Sequence, residues 1–362
     1  MPATAPARAP GLFAARSRID IGGSQSAALS DALQALLVEE TTDGVARCEA
    51  TFANWGPRSG GVGVIFLDRS LVEFGKAVKI SMGAGDASGV VFDGRVMAIE
   101  GRYLRDRSPE VVVLAEDRLQ DLRMTRRTRT FENLSDSEVA RQIASAHGLQ
   151  ATVNISGPTH KVLAQVNQSD LAFLRERARA ADAEVWVEGA SLHVESRTRR
   201  SGAEVELAYN GTLFEFAVTA DLSGQVSGFT VAGWDVSGKE AASARATESA
   251  ISGELNGGDS GSSILGSAFG TRDQQIVHDL PASNDAARAL AESYYRRAAR
   301  RFVRGSGIAE GNAKIRVGAT VKLSVLGAMF DGKYYVTRAR HLFDPKQGYR
   351  TMFDVERPAI GR

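Results

Sequence analysis

Gly258-Asp259-Ser260-Gly261 echoes the nucleophile loop of serine proteases, in which a histidine oriented by a carboxylate takes the proton of the serine hydroxyl. The five histidines, His147, His160, His193, His278 and His341, offer no base in an Ala-Ala-His setting. They also lack the His-x-x-x-His spacing that holds a metal. Ser260 is therefore read as part of a flexible Ser/Gly loop. Asp and Glu are abundant, yet nothing singles out a pair set for glycoside hydrolysis. The sequence contains no Gly-x-x-x-x-Gly-Lys-(Ser/Thr) phosphate loop and no dinucleotide fingerprint. Cys48 is the single cysteine, which excludes an internal disulfide and a Cys-rich zinc site; in an alternating segment it reads as a buried thiol. The chemistry on offer implies no enzyme, no cofactor and no metal.

Arginine is the residue type that stands out. One cluster is Arg123, Arg126, Arg127 and Arg129; another is Arg296, Arg297, Arg300 and Arg301 on a late helix, with Arg304 beyond it. Such clusters bind nucleic acid, line a channel, or make salt bridges between subunits. Lys and Arg number 44 against 43 Asp and Glu, so no global field draws in a polyanion. No specific nucleic-acid binding is expected, and a solvated face or subunit interface is the favoured reading.

The elements that carry these residues are mostly strands. At 362 residues the chain is long enough for two or three domains. Residues 1–16, rich in Ala and Pro, read as a flexible N-terminal arm. Residues 17–118 alternate like a β-barrel-like domain, with a hairpin around Thr42-Asp43-Gly44 and strands near Val62–Leu67, Ala77–Ser81, Val90–Ile99 and Val111–Ala115. The spacing of Leu29, Leu33, Leu36 and Leu37 also permits a helix at its start. Residues 119–200 form an α/β insert. Its first helix opens on the capping box Ser135-Asp136-Ser137-Glu138, its second runs over about 169–181, and a hairpin turns at Glu188-Gly189. Residues 201–236 and 271–362 make a second β-barrel-like domain that includes a helix from Asn284 to about Arg301. Between them, 237–270 is Ala/Ser/Gly-rich and reads as a loop, with a short helix near 240–249. No segment carries the ~18 uninterrupted apolar residues of a membrane helix.

Two distant segments share one script. Gly75-Lys76-Ala77-Val78-Lys79-Ile80-Ser81 leads through a turn to Val91-Phe92-Asp93-Gly94-Arg95. Gly318-Ala319-Thr320-Val321-Lys322-Leu323-Ser324 leads through a shorter turn to Met329-Phe330-Asp331-Gly332-Lys333. Val-Lys-(Ile/Leu)-Ser places its apolar residues on one face, and Asp-Gly is expected to supply the positive-φ turn. Two similar units per chain give six in a trimer.

Asp117-Arg118-Leu119, Thr128-Arg129-Thr130-Phe131, Ser135-Asp136-Ser137-Glu138 and Asn167-Gln168-Ser169-Asp170-Leu171-Ala172-Phe173-Leu174-Arg175 resemble the phage late control protein D family and the hub portion of VgrG spike proteins. Val231-Ala232-Gly233-Trp234-Asp235 and Phe330-Asp331-Gly332-Lys333-Tyr334-Tyr335-Val336 are similar too, so the likeness extends over most of residues 20–358. It implies a structural, homotrimeric baseplate hub of a contractile tail or injection system, in which two barrel domains per subunit join a six-fold inner tube to a three-fold spike. The implied partners are the tube protein, a separate spike chain (since no spike sequence follows Arg362), other baseplate subunits and a cargo in the channel. The implied location is a tail-like particle assembled in the cytoplasm. The rival readings are a secreted cell-wall hydrolase and a glycan-binding module.

Overall fold

The computed structural model describes residues 17–58, 60–200, 202–235, 238–277 and 281–361. The expected arm at 1–16 and His278 lie outside the described residues. Arg18–Ile21 (β1) and Ser24–Gln25 (β2) flank Gly22 and Gly23, both at positive φ. Ser26 caps Ala27–Ala32 (α1) by accepting from Leu29 N, and the chain then extends as Leu33–Thr41 (β3). The leucine spacing is thus divided between a helix and a strand. Leu33–Thr41 pairs with Arg47–Ala53 (β4) across the expected turn. A small ribbon follows, Gly56–Arg58 (β5) with Gly61–Gly63 (β6). The rest of the expected Val62–Leu67 strand is loop, because Asn54 Oδ1 accepts from the backbone of Ile65 and Phe66 and holds it off the sheet. Ala77–Met82 (β7), Gly89–Arg102 (β8) and Glu110–Glu116 (β9) complete an antiparallel meander.

The insert begins with Leu119–Arg123 (α2) and Arg126–Ser135 (β10). Asp136–Ala146 (α3) follows with the capping box formed: Ser135 Oγ accepts from Glu138 N, and the Glu138 carboxylate accepts from Ser135 N at 2.8 Å. Gln150–Asn154 (β11), Thr159–Ser169 (β12), Asp170–Ala180 (α4), Ala183–Glu188 (β13) and Ser191–Ser196 (β14) complete it. A separate ribbon of β10 and β12 runs into the two helices, an element beyond the expected helix, helix and hairpin. The insert repeats itself. Asn133 and Asn167 sit at positive φ two residues before Ser135 and Ser169; Gly148 and Asp182 sit at positive φ after the two helices. Its core joins Val139, Ile143, Leu171, Leu174, Leu192 and Val194.

Beyond it come Glu204–Ala208 (β15), Leu213–Ala220 (β16), Gly228–Asp235 (β17) and Glu240–Ala246 (β18). Asp259–Ser260 (β19), Gly261–Phe269 (α5), Asp273–Ile276 (β20) and Asn284–Arg300 (α6) follow. Val303–Glu310 (β21), Thr320–Ser324 (β22), Gly332–Asp344 (β23), Gly348–Arg357 (β24) and Ala359–Ile360 (β25) close the chain. The expected loop at 237–270 is corrected here: it supplies a strand where a short helix was read, and a helix where loop was read. Its small residues are packing devices. Ala246 belongs to the core that Ala291 and Tyr295 of α6 complete, and Ala242 is also buried. A Cβ on Gly233 would lie 2.5 Å from Pro281. β18, β17 and β20 form their own three-stranded sheet under α6.

The main sheet runs β16-β21-β24-β23-β3-β4-β9-β8-β7-β1-β2, with β22 on β23 and β15 on β22. It contains one five-strand order twice: β3-β4-β9-β8-β7 and β16-β21-β24-β23-β22. The irregularities match. The register shifts between Leu33 and Ala35, and between Leu213 and Glu215; it shifts again between Val96 and Ala98, and between Val336 and Arg338. Gly75 N donates to Val96 O and Val96 N to Lys76 O; Gly318 N donates to Val336 O and Val336 N to Ala319 O. Bulges are designed features of a strand pair, so two in corresponding places mark a duplication.

The Asp-Gly reading is corrected. Gly94 lies mid-strand opposite Val78, where a Cβ would meet Glu116 O at 2.3 Å. Gly332 starts β23 at φ +130 opposite Leu323. Phe92-Asp93-Gly94 and Phe330-Asp331-Gly332 are therefore offset by two residues, and only the Val-Lys-(Ile/Leu)-Ser strands correspond. The two halves have separate cores, one around Ile19, Val38, Phe92 and Val113 and one around Val321, Tyr334, Val336 and Phe353.

Candidate interface surfaces

The first arginine cluster sits on the β10–β12 ribbon and is largely spoken for within the chain. Arg123 pairs with Glu116, and Arg126 donates to Asn167 O. Arg127 and Arg129 converge on Asp170, at 3.3 and 2.7 Å. Asp170 is the first residue of α4 and is fully buried, where the helix N-terminus favours a negative charge. Burial pushes its pKa up, but His147 (2.8 Å), Gln165 and the arginines outweigh this and hold it below the ordinary range. Asp136 repeats the arrangement at the start of α3, with His160 at 3.3 Å and Arg177 at 2.6 Å. Two of the five histidines thus serve as partners of the carboxylates that open helices.

The second cluster divides by burial. Arg300 is 4% exposed and grips Asp182 and Glu254 together, at 2.6 Å each. It tethers the insert to α6, so it leaves the set of surface candidates. Its charge is held firmly, because the two carboxylates outweigh the burial that would otherwise lower its pKa. Arg296 donates to Ala250 O and pairs with Glu292. Arg297 and Arg301 are exposed, with the Arg297 guanidinium 5.3 Å from the centre of the Tyr294 ring.

The insert is wedged against both halves. Arg197 stacks on Tyr335 at 3.6 Å and pairs with Glu356; Arg200 stacks on Trp186 and pairs with Glu184, which also accepts from Tyr335 Oη. On the other side Asp117 accepts from the backbone of Ala46 and Leu119. Burial raises the Asp117 carboxyl to about 6.

Ser260 is a helix cap. Its Oγ accepts from Ser263 N at 3.0 Å and donates to Glu248, and the residue is buried. The protease-like wording therefore encodes the start of α5. His193 pairs with Glu195, and His341 is buried with Tyr349 Oη 2.7 Å from Nδ1. Among the described residues no group of three His, Cys, Asp or Glu is placed to hold a metal. Among them, too, no helix is long and apolar enough to cross a membrane.

The open face of the main sheet carries a shaped surface. A groove of about 430 Å³ lies over β16, β21, β24 and β23, lined by Phe216, Ile308, Arg338, Arg340 and Met352 among others. Arg338 pairs with Asp354 at 2.6 Å and Arg340 with Glu39 at 2.7 Å, so charge alternates across the joint between the halves. Sequence reading missed these residues, because isolated arginines in alternating strands look like any solvated face.

No curated protein matches the chain. Solved structures do share its fold. The 43 kDa tail protein of prophage MuSo2 from Shewanella oneidensis has a TM-score of 0.68 at 14% identity, covering 95% of this chain and 98% of that one. The tail protein from Neisseria meningitidis MC58 follows at 0.65 and 10%, covering 95% and 97%. An Escherichia coli component of the type VI secretion system, described as similar to the T4 tail proteins gp27 and gp5, gives 0.58 and 11% over 94% and 76%. The fold is therefore that of tail and type VI proteins, mainly β with an α/β insert. At the level of sequence the match to a family model runs from residue 26 to 344, through the first five-strand run, the insert and all of the second run but β24, and the chain belongs to the family described as the Alg8 N-terminal domain.

Proposed function

We propose that the protein is the structural hub of a contractile tail or injection system, a homotrimer that joins a six-fold inner tube to a three-fold spike. The observation that carries this reading is the duplicated five-strand run with its matched bulges. Three chains then present six near-equivalent units on one side while keeping three-fold symmetry on the other. The relatives of like fold are described as tail proteins and as a type VI secretion component, and a further one as VgrG in complex with PdpA. Their setting agrees with the resemblance to late control protein D and VgrG. In this reading the open sheet face with Arg338, Arg340, Asp354 and Glu39 lines the bore, where alternating charge lets a cargo slide without holding it. Arg297, Arg301 and Arg126 remain for contacts with neighbouring baseplate subunits or the spike. The protein works by geometry and buried area, with no turnover.

Light scattering across a concentration series tests the reading, with electron microscopy of particles from producing cells. A mass three times the 38.6 kDa chain and a three-fold ring at the tube end are expected. A chain that stays monomeric, alone and with its spike partner, overturns it. In Arg126→Glu/Arg127→Glu, unchanged trimer mass and particle assembly would remove that pair from the interface.

A further inference from the structure

The joint between the two halves is itself a strand pair. β3 of the first run lies antiparallel to the second half of β23, with Leu36 opposite Phe343, Val38 opposite His341, Glu39 opposite Arg340 and Glu40 opposite Ala339. Matching bulge to bulge assigns each strand of this joint a counterpart. Leu33 and Ala35 match Leu213 and Glu215, so Leu36–Thr41 corresponds to Phe216–Asp221. Val96 and Ala98 match Val336 and Arg338, so Ala98–Tyr103 corresponds to Arg338–Phe343.

Among the described residues both counterparts have an edge with no neighbouring strand. Among the described residues β16 ends the sheet and pairs with β21, with one further bridge from Leu213, at its start, to Tyr209. β8 pairs with β7 up to Arg95, and among the described residues it pairs with β9 alone from Ala98 to Arg102. Of the side chains that face inward at the joint, Leu36, Val38, Glu40, Ala339 and His341 are buried and Phe343 is half-buried. Their counterparts are more open: Phe216, Val218 and Ala220 are half-buried, Gly101 is exposed, and Tyr103 is 66% exposed. An apolar, unpaired edge is a template for another strand.

We infer that β16 of one chain pairs antiparallel with residues 98–103 of β8 in a second copy, repeating between chains the contact that β3 and β23 make within one. The register follows from the joint. Phe216 lies opposite the next copy's Tyr103, Val218 opposite its Gly101, Thr219 opposite its Glu100 and Ala220 opposite its Ile99. The Tyr103 ring and Leu67 lie where a Gly101 Cβ would project, at 3.1 and 3.3 Å, so the surface opposite Val218 is apolar. Every unit then offers its β3-type strand to the next unit's β8-type strand. This is a head-to-tail contact, which closes into a ring rather than a pair. The inference rests on the trimeric reading above and adds the surface and the register.

Cysteines placed across the pair test it, since a disulfide forms only where the Cα atoms lie within about 7 Å. Thr219→Cys/Glu100→Cys is compared with Thr219→Cys/Arg102→Cys, a two-residue slip on the same face; Cys48 is buried and stays in place. Mild oxidation is expected to give reducible species ending at three chains in the first variant, and several-fold less in the second. A trimer by light scattering with no preference for the first variant overturns the strand pairing and leaves the trimer standing. A monomer at every concentration removes both. Should either cysteine variant misfold, Val218→Arg serves instead. It is expected to lower the trimer mass at low concentration with an unchanged far-UV spectrum, while Val218→Ile keeps the mass; an unaltered mass in Val218→Arg counts against the pairing.

Discussion

Arg300 shows how a charged residue acts as structure. Removing it takes from Glu254 its closest partner and leaves Asp182 with Arg296 at 3.8 Å in a largely buried site, and breaking such a pair costs about 3–5 kcal/mol. Arg300→Met should lower the urea midpoint by a matching amount, and adding Asp182→Asn and Glu254→Gln should recover part of it. His341 offers a test in pH. Burial, aided by the Arg316 charge, depresses its pKa from the ordinary 6.5 to about 3. The unfolded chain therefore takes up that proton first, so the stability His341 confers is whole above pH 6.5 and lost as pH falls toward 3. Its slope approaches about 1.4 kcal/mol per pH unit. Denaturant titrations from pH 7 to 4 should show that fall in the wild type minus His341→Gln difference; parallel profiles would refute it. Neither role was visible in the sequence, because arginines and histidines acquire meaning from partners far along the chain.

Among the elements, two glycines separate close approach from mere freedom. Gly94→Ala forces a Cβ onto Glu116 O and the Phe92 ring. Overpacking of this kind typically costs about 1–3 kcal/mol, and a backbone oxygen that cannot move puts this site at the upper end or beyond. Gly266, inside α5 with open space around its Cβ position, should gain from Gly266→Ala by about 0.5–1 kcal/mol. Thermal unfolding of the two variants should move in opposite directions. Most elements were legible because their signals are local: the capping box of α3, the Asp-Gly hairpin after β3, the alternation of β7, β9, β22 and β24. The 238–270 segment was not, since Ala and Ser carry no hydrophobic signal of their own. They pack there because α6 comes close. The turn read into Phe-Asp-Gly failed for a related reason, as a glycine needed for tight strand contact and one needed for positive φ are the same letter.

For the whole molecule, the proposed trimer, held through exposed edges, would have its stability tied to mass action. The melting temperature should rise with protein concentration in the wild type and lose that dependence in Val218→Arg, as differential scanning fluorimetry over a wide range of concentrations would show. A concentration-independent midpoint in both would place the fold's stability in the single chain.

The sequence by itself determined the local grammar, the mainly β character, the insert's helices and the presence of two related halves, since alternation, caps and turn residues act within a few positions of one another. Only the tertiary structure decided which arginines are internal ties, that Ser260 caps a helix, and that the two halves share bulges and a strand order. The ties and the strand order depend on partners far along the chain, as Asp182 is from Arg300 and β3 from β23, while the Ser260 cap depends on how the small residues around it pack.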